Sequence, residues 1–189
     1  DACKVSYHRS RLQQTCAKEN GSMLAIGCSV EEFSTWQTSY PEIEIAAVNG
    51  PKTITVAGDK TQLEHLEAQL VSKDIFARLL AVEIAYHSRY MDTIKADIFS
   101  SLSDITPRKT NIPLISTVTG QHIDGESLGA EYWWKNVRQA VLFADGLQTL
   151  LTGNDAPVME IGPHPVLKSA IKEGLNIAED SRLQLASLH

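Results

Sequence analysis

The 189-residue chain is predicted to be α/β: a βαββαβ unit over residues 21–83 is inserted into a larger α/β lobe built from 1–20 and 84–189. Three observations predict this. Short β-branched or alternating runs alternate with helical stripes from Gly21 to Glu83. Two S/D-x-x-E/Q signals open helices inside that stretch. After residue 84 strands and helices again alternate, the pattern of a layered α/β lobe.

The elements follow in order. Val5, His8, Arg9 and Leu12 fall at helical spacing, so the chain starts within a helix, as a fragment would. Ser22 to Ile26 is a short apolar strand. Ser29-Val30-Glu31-Glu32 reads as a capping box, and the helix it opens carries Phe33 and Trp36 on one face and stops before Pro41. Ile43, Ile45 and Ala47 alternate with Glu44 and Ala46, as on a half-buried strand. Asn49-Gly50-Pro51 is a turn signal, and Thr53 to Val56 is β-branched throughout. Asp59-Lys60-Thr61-Gln62 resembles a second capping box, followed by the stripe Leu63, Leu66 and Leu70. Arg78 to Glu83 is expected to close a ferredoxin-like βαββαβ unit.

Beyond it the expectation is a helix from Met91 to Leu102, a strand from Ile112 to Thr117 and a Gly/Asp loop over 120–129. A helical stretch carrying Val141, Phe143 and Leu147 comes next, then a strand from Val158 to Ile161. The turn Gly162-Pro163-His164-Pro165 leads into a last helix with Val166, Leu167, Ala170 and Ile171, where Pro165 suits a helix start.

A formal charge of −6 and the absence of a long basic run argue against a nucleic-acid groove. No apolar run approaches membrane-spanning length, and no signal peptide opens the chain. Cys3, Cys16 and Cys28 are odd in number and lack C-x-x-C spacing, which disfavours a disulfide framework or zinc knuckle and fits a cytoplasmic protein.

The most informative residue is His87. It stands where an apolar strand-like run (Leu79, Leu80, Val82, Ile84) gives way to a helical pattern. A strand end opening into a turn can hold an imidazole at a cleft, ready to take and return a proton. Around it lie five ordered stretches: His8-Arg9-Ser10-Arg11-Leu12-Gln13-Gln14, Ala47-Val48-Asn49-Gly50-Pro51, Ala85-Tyr86-His87-Ser88 with Met91, Glu131 to Gln139, and Glu160 to Leu167. Together they resemble the acyltransferase domain of polyketide synthases, whose fold is shared with malonyl-CoA:acyl-carrier-protein transacylases.

The resemblance implies a truncated α/β-hydrolase-like acyltransferase lobe with an inserted ferredoxin-like small lobe. It also implies roles. His87 matches the base that activates a serine nucleophile. Arg9 matches an arginine that grips the malonyl carboxylate, a task suited to a planar guanidinium; Ser10 replaces the usual glycine beside it. Asn136 to Gln139 resemble a segment whose backbone carbonyl orients the histidine. Asn49 and His164 match positions lining the same cleft. Without the resemblance, Asn49-Gly50-Pro51 is a turn, His164 between prolines is equally a rigid turn, and Arg9 is a solvated or salt-bridged charge. His8 and His65 are expected to face water, and Trp133 and Trp134 to pack in the core. Tyr86 occupies the place where the family has Phe with malonyl and Ser with methylmalonyl, so malonyl is expected.

The expected function is transfer of a malonyl-type extender from coenzyme A to an acyl carrier protein in polyketide or fatty acid biosynthesis. The substrate would be the coenzyme A thioester and the acceptor the carrier's phosphopantetheine, with a ketosynthase among the neighbouring domains. No bound cofactor, metal, nucleic acid or membrane is implied. The family's G-H-S-x-G nucleophile elbow does not occur in the chain, and its glutamine-bearing oxyanion motif is missing too. Both are expected upstream of Asp1, so the chain alone is expected not to complete acyl transfer. Two alternatives are a non-catalytic module that binds acyl carrier protein and a related acyl hydrolase; the arginine clamp argues against the second.

Overall fold

A computed structural model describes residues 1–18, 20–153, 155–178 and 180–187. Glu19, Asn154, Glu179, Leu188 and His189 lie outside the described residues.

The molecule is organised by a five-stranded sheet, ordered β4-β1-β3-β2-β7. Its first four strands are β1 (Gly21–Ile26), β2 (Glu44–Gly50), β3 (Thr53–Asp59) and β4 (Ala77–Leu79), with every pair antiparallel. Helices α2 (Val30–Gln37) and α3 (Lys60–Val71) connect them, completing a βαββαβ unit. The fifth strand, β7 (Val141–Leu142), joins β2 in parallel from far along the chain.

Local signals explain most of this. Ser29 accepts from the Glu32 amide at 3.1 Å and the Glu32 carboxylate accepts from the Ser29 amide at 2.8 Å, so the capping box is complete. The second box is half formed. Asp59 accepts from the Gln62 amide, but the Gln62 side chain reaches Glu42 instead. Leu63, Leu66 and Leu70 pack, fully buried, against Leu24, Ile26, Phe33, Ile43, Ile54 and Val56.

The alternation expected of β2 breaks at a bulge between Ile45 and Ala47. Ala46 is buried with Met23, Ala57 and Ala85 on the sheet's other face. The strand expected over 78–83 ends at Leu79, because Val82 turns back to bond the Leu80 carbonyl. His87 therefore does not stand at a strand end.

The remaining elements are α1 (Ala2–Thr15), α4 (Lys95–Ser101), α5 (Ala130–Arg138), α6 (Phe143–Leu151) and α7 (Lys168–Ile177). Two hairpin strands, β5 (Leu114–Ser116) and β6 (Gln121–Ile123), stand apart, as does the parallel pair β8 (Val158–Glu160) and β9 (Gln184–Ala186). The helix expected from Met91 begins as a 3₁₀ turn, Arg89–Ile94, capped by the Ser88 hydroxyl on the Tyr90 amide. The loop expected over 120–129 holds β6, reached through Gly120 at φ +69°. Val141 leaves the expected helical stretch for β7, paying no local propensity cost as a β-branched residue. The last helix starts at Lys168, a turn beyond Pro165, and leaves Val166 exposed.

Helices α1, α4 and α5 share a second core: Val5, Leu12, Cys16, Ile84, Met91, Ile98, Trp134 and Val137. Trp133 packs at its margin. Leu147, Leu151, Val158, Ile171 and Leu175 form a third. Among the described residues no helix is long and apolar enough to cross a membrane.

Candidate active site

The site sits where the segment leaving β4 meets the sheet. Gly21 makes this approach possible: a Cβ there would lie 2.8 Å from the Ala85 nitrogen. Ser22 donates to the Val82 carbonyl and buried Ser88 donates to that of Ala85, so the turn carrying His87 is pinned on both sides. Within it His87 takes φ +57°, a backbone region that non-glycine residues rarely occupy.

Its partner comes from the end of α5. Gln139 caps that helix in extended conformation (φ −84°, ψ 159°), which turns its carbonyl out of the helical ladder. His87 Nδ1 lies 2.9 Å from that oxygen. A carbonyl can only accept, so Nδ1 carries the proton and Nε2 of the neutral ring keeps its lone pair. Burial lowers the pKa of His87, the Gln139 carbonyl raises it, and the Arg9 charge lowers it; the net direction is below the ordinary 6.5. The ring is thus neutral, and competent as a base, at neutral pH.

A cavity of about 660 Å³ opens beside it, lined by Val5, Arg9, Gln13, Met23, Tyr86 and His87 among others. Arg9 and Gln13 reach it from one face of α1. The Arg9 guanidinium is half-buried, and its Nε has no hydrogen-bond partner among the described residues. Burial lowers its pKa and Tyr86 opposes this, yet a guanidinium stays charged at any working pH. A buried cationic donor without a partner is suited to receive an anion.

The structure thus brings His87, Arg9, Tyr86 and the Gln139 carbonyl together. Asn136 lies three residues before Gln139 on α5, with a buried Oδ1 that has no partner among the described residues. Asn49 and His164 line other cavities. Asn49 donates to Thr55 and borders a narrow cleft with Pro51, Leu147 and Gly174. His164 is exposed, beside a larger apolar cavity with Phe143, Leu150 and Ile161. His8 does not face water freely: it is half-buried, its ring edge-on to Tyr7 at 5.1 Å. His65 is exposed as expected.

Four charged residues around this site have no role that the sequence assigns. Glu44, at the start of β2, bonds Arg89 Nε at 2.8 Å and the Arg89 amide at 3.0 Å. Its other oxygen meets Arg138 Nη1 at 2.8 Å, and Arg138 Nε reaches Asp92 at 2.9 Å. Burial pushes the Glu44 carboxyl up, but Arg89 and Arg138 outweigh it and hold the group below the usual carboxylate range. The only available clue was position, since Arg89 and Arg138 each flank a motif residue.

The family model of the acyl transferase domain matches residues 1–188. Polyketide synthase GfsB of Streptomyces halstedii is 34% identical over 190 residues, which cover 100% of this chain and 3% of GfsB. Reducing polyketide synthase hmp8 of Hypomyces subiculosus is also 34% identical over 190 residues, covering 93% of this chain and 8% of hmp8. Among solved structures, the acyltransferase domain from module 8 of the salinomycin polyketide synthase matches with a TM-score of 0.96 at 32% identity, covering 100% of this chain and 45% of that one. A loading acyltransferase from the avermectin modular polyketide synthase matches at 0.92 and 30% identity, covering 100% and 60%. The chain therefore spans under two thirds of these relatives.

The α/β fold is that of acyltransferase domains. This chain belongs to the acyl transferase domain family, in the form found in polyketide synthases.

Proposed function

We propose that this chain supplies the base and the carboxylate clamp of an acyltransferase that moves a malonyl-type extender unit from coenzyme A to an acyl carrier protein. The observation that carries this is the 2.9 Å contact of His87 Nδ1 with the Gln139 carbonyl, beside the cavity that Arg9 lines. That contact leaves Nε2 as the free proton acceptor.

The serine nucleophile is supplied by residues outside these 189. His87 Nε2 takes the serine proton as the oxygen attacks the thioester carbonyl. The coenzyme A thiolate leaves and receives that proton from the imidazolium. In the second half-reaction His87 takes the proton of the carrier's phosphopantetheine thiol. The thiolate attacks the acyl-serine, and the serine oxygen leaves and is reprotonated. Arg9 holds the free carboxylate of the extender through both steps, and Tyr86 bounds the space around its α-carbon. Asn136 supports the segment that presents the Gln139 carbonyl.

A ketosynthase and other synthase domains are the neighbours in this assignment, and the compartment is cytoplasmic. The test is single-turnover loading of labelled extender in the intact acyltransferase. His87→Ala should slow loading by about 2–4 orders of magnitude. Near-normal loading would remove His87 from the mechanism.

A further inference from the structure

We propose that Glu44 is a positioning residue that holds the His87 turn and the Gln139 carbonyl in register, acting through Arg89 and Arg138. The proposal rests on the assignment of His87 as the base.

The two groups that must meet come from segments 52 residues apart, and both lie outside regular helix or strand. His87 sits in an irregular turn at positive φ, a conformation that persists only when its surroundings over-determine it. Gln139 lies just past the end of α5. Glu44 reaches both segments with one carboxylate. Oε1 takes the backbone amide and the Nε of Arg89, two residues after His87. Oε2 takes Nη1 of Arg138, one residue before Gln139.

One further contact tightens each arm. Arg89 Nη2 donates to the Pro41 carbonyl, just upstream of Glu44. Arg138 Nε donates to Asp92, in the 3₁₀ turn that follows His87. Strand β2 then holds the other side of Gln139 as well, because Ala47 and Val48 pair with Val141 and Leu142. Residues 138–142 are thus tied to β2 before and after Gln139. Glu44 and Arg138 are each only about a quarter exposed, so solvent competes weakly for this clamp. Glu44 does not line the cavity of His87 and Arg9, so its effect on catalysis runs through geometry alone.

Glu44→Gln preserves size and removes the charge. In the intact acyltransferase it should slow single-turnover acyl loading by about 10- to 100-fold, the scale of a small misplacement of reacting groups. The KM for the coenzyme A thioester should stay unchanged, and Glu44→Asp should recover part of the loss. By NMR, the His87 Nδ1–H resonance should weaken in Glu44→Gln and return in Glu44→Asp. Arg89→Gln and Arg138→Gln, each removing one arm, should give the same signature and serve if Glu44→Gln fails to fold. A folded Glu44→Gln that loads at the wild-type rate with an unchanged Nδ1–H resonance would overturn the proposal. If His87→Ala itself loads normally, the base assignment fails, and the resonance still decides whether Glu44 sets the contact.

Discussion

His87 Nδ1 and the carbonyl oxygen of Gln139 are 2.9 Å apart, and this one contact selects the imidazole tautomer. With the proton on Nδ1, the ring offers Nε2 as base. Its basicity is then lowered by burial, raised in part by the Gln139 carbonyl itself, and lowered again by the nearby charge of Arg9.

A pH dependence follows, with its sign. A lowered folded-state pKa means that acyl loading should lose its base only below 6.5, the ordinary imidazole value. Just below that value the unfolded chain binds more protons than the folded one, so stability should rise with pH in that window. Arg9→Met removes the charge while preserving bulk, and should move the His87 titration to higher pH. An NMR titration of the ring checks this; a downward shift would show that Arg9 does not act on His87 as argued.

Arg9 should also discriminate between substrates. Arg9→Ala should slow malonyl loading far more than acetyl loading, because only malonyl carries a carboxylate. The difference should be on the order of 2–4 kcal/mol, the range for losing one partner of a buried charge pair. Equal losses with both thioesters would make Arg9 a structural residue of α1.

Tyr86 is proposed to restrict the space at the extender's α-carbon, favouring malonyl over methylmalonyl. One methyl group in a tight pocket is worth only about 1–3 kcal/mol, so the preference should be clear but incomplete. Competition between the two coenzyme A thioesters measures it. Tyr86→Ser should move the kcat/KM ratio toward methylmalonyl, and a wild-type ratio already favouring methylmalonyl would refute the assignment.

The sheet's stability should depend on the α3 stripe. Leu66 is fully buried between the helix and the strands. Leu66→Ala should cost about 2–5 kcal/mol through lost burial and the cavity left behind. Urea unfolding followed by circular dichroism gives the value, and a cost under about 1 kcal/mol would mean the site collapses around the smaller side chain.

The sequence by itself determined the elements whose causes are local. Ser29 and Glu32 meet within one helical turn, Thr53 to Val56 favour extended backbone residue by residue, and Leu63, Leu66 and Leu70 share one helix face. Their βαββαβ order was therefore legible, as was the cluster of motifs around His87. What only the tertiary structure decided has distant partners. Val141 and Leu142 become a strand because β2 offers them an edge, and β9 is a strand because β8 lies beside it. Glu44 looks like the solvated position of an alternating strand until Arg89, 45 residues away, and Arg138, 94 residues away, are brought to it. The cavity likewise exists only where α1 crosses the His87 turn, while Asn49 and His164, grouped with His87 by their motifs, end in different clefts. Hydrogen bonds and ion pairs act over a few ångströms, so a pairing across the chain carries no local sequence signal until folding closes the distance.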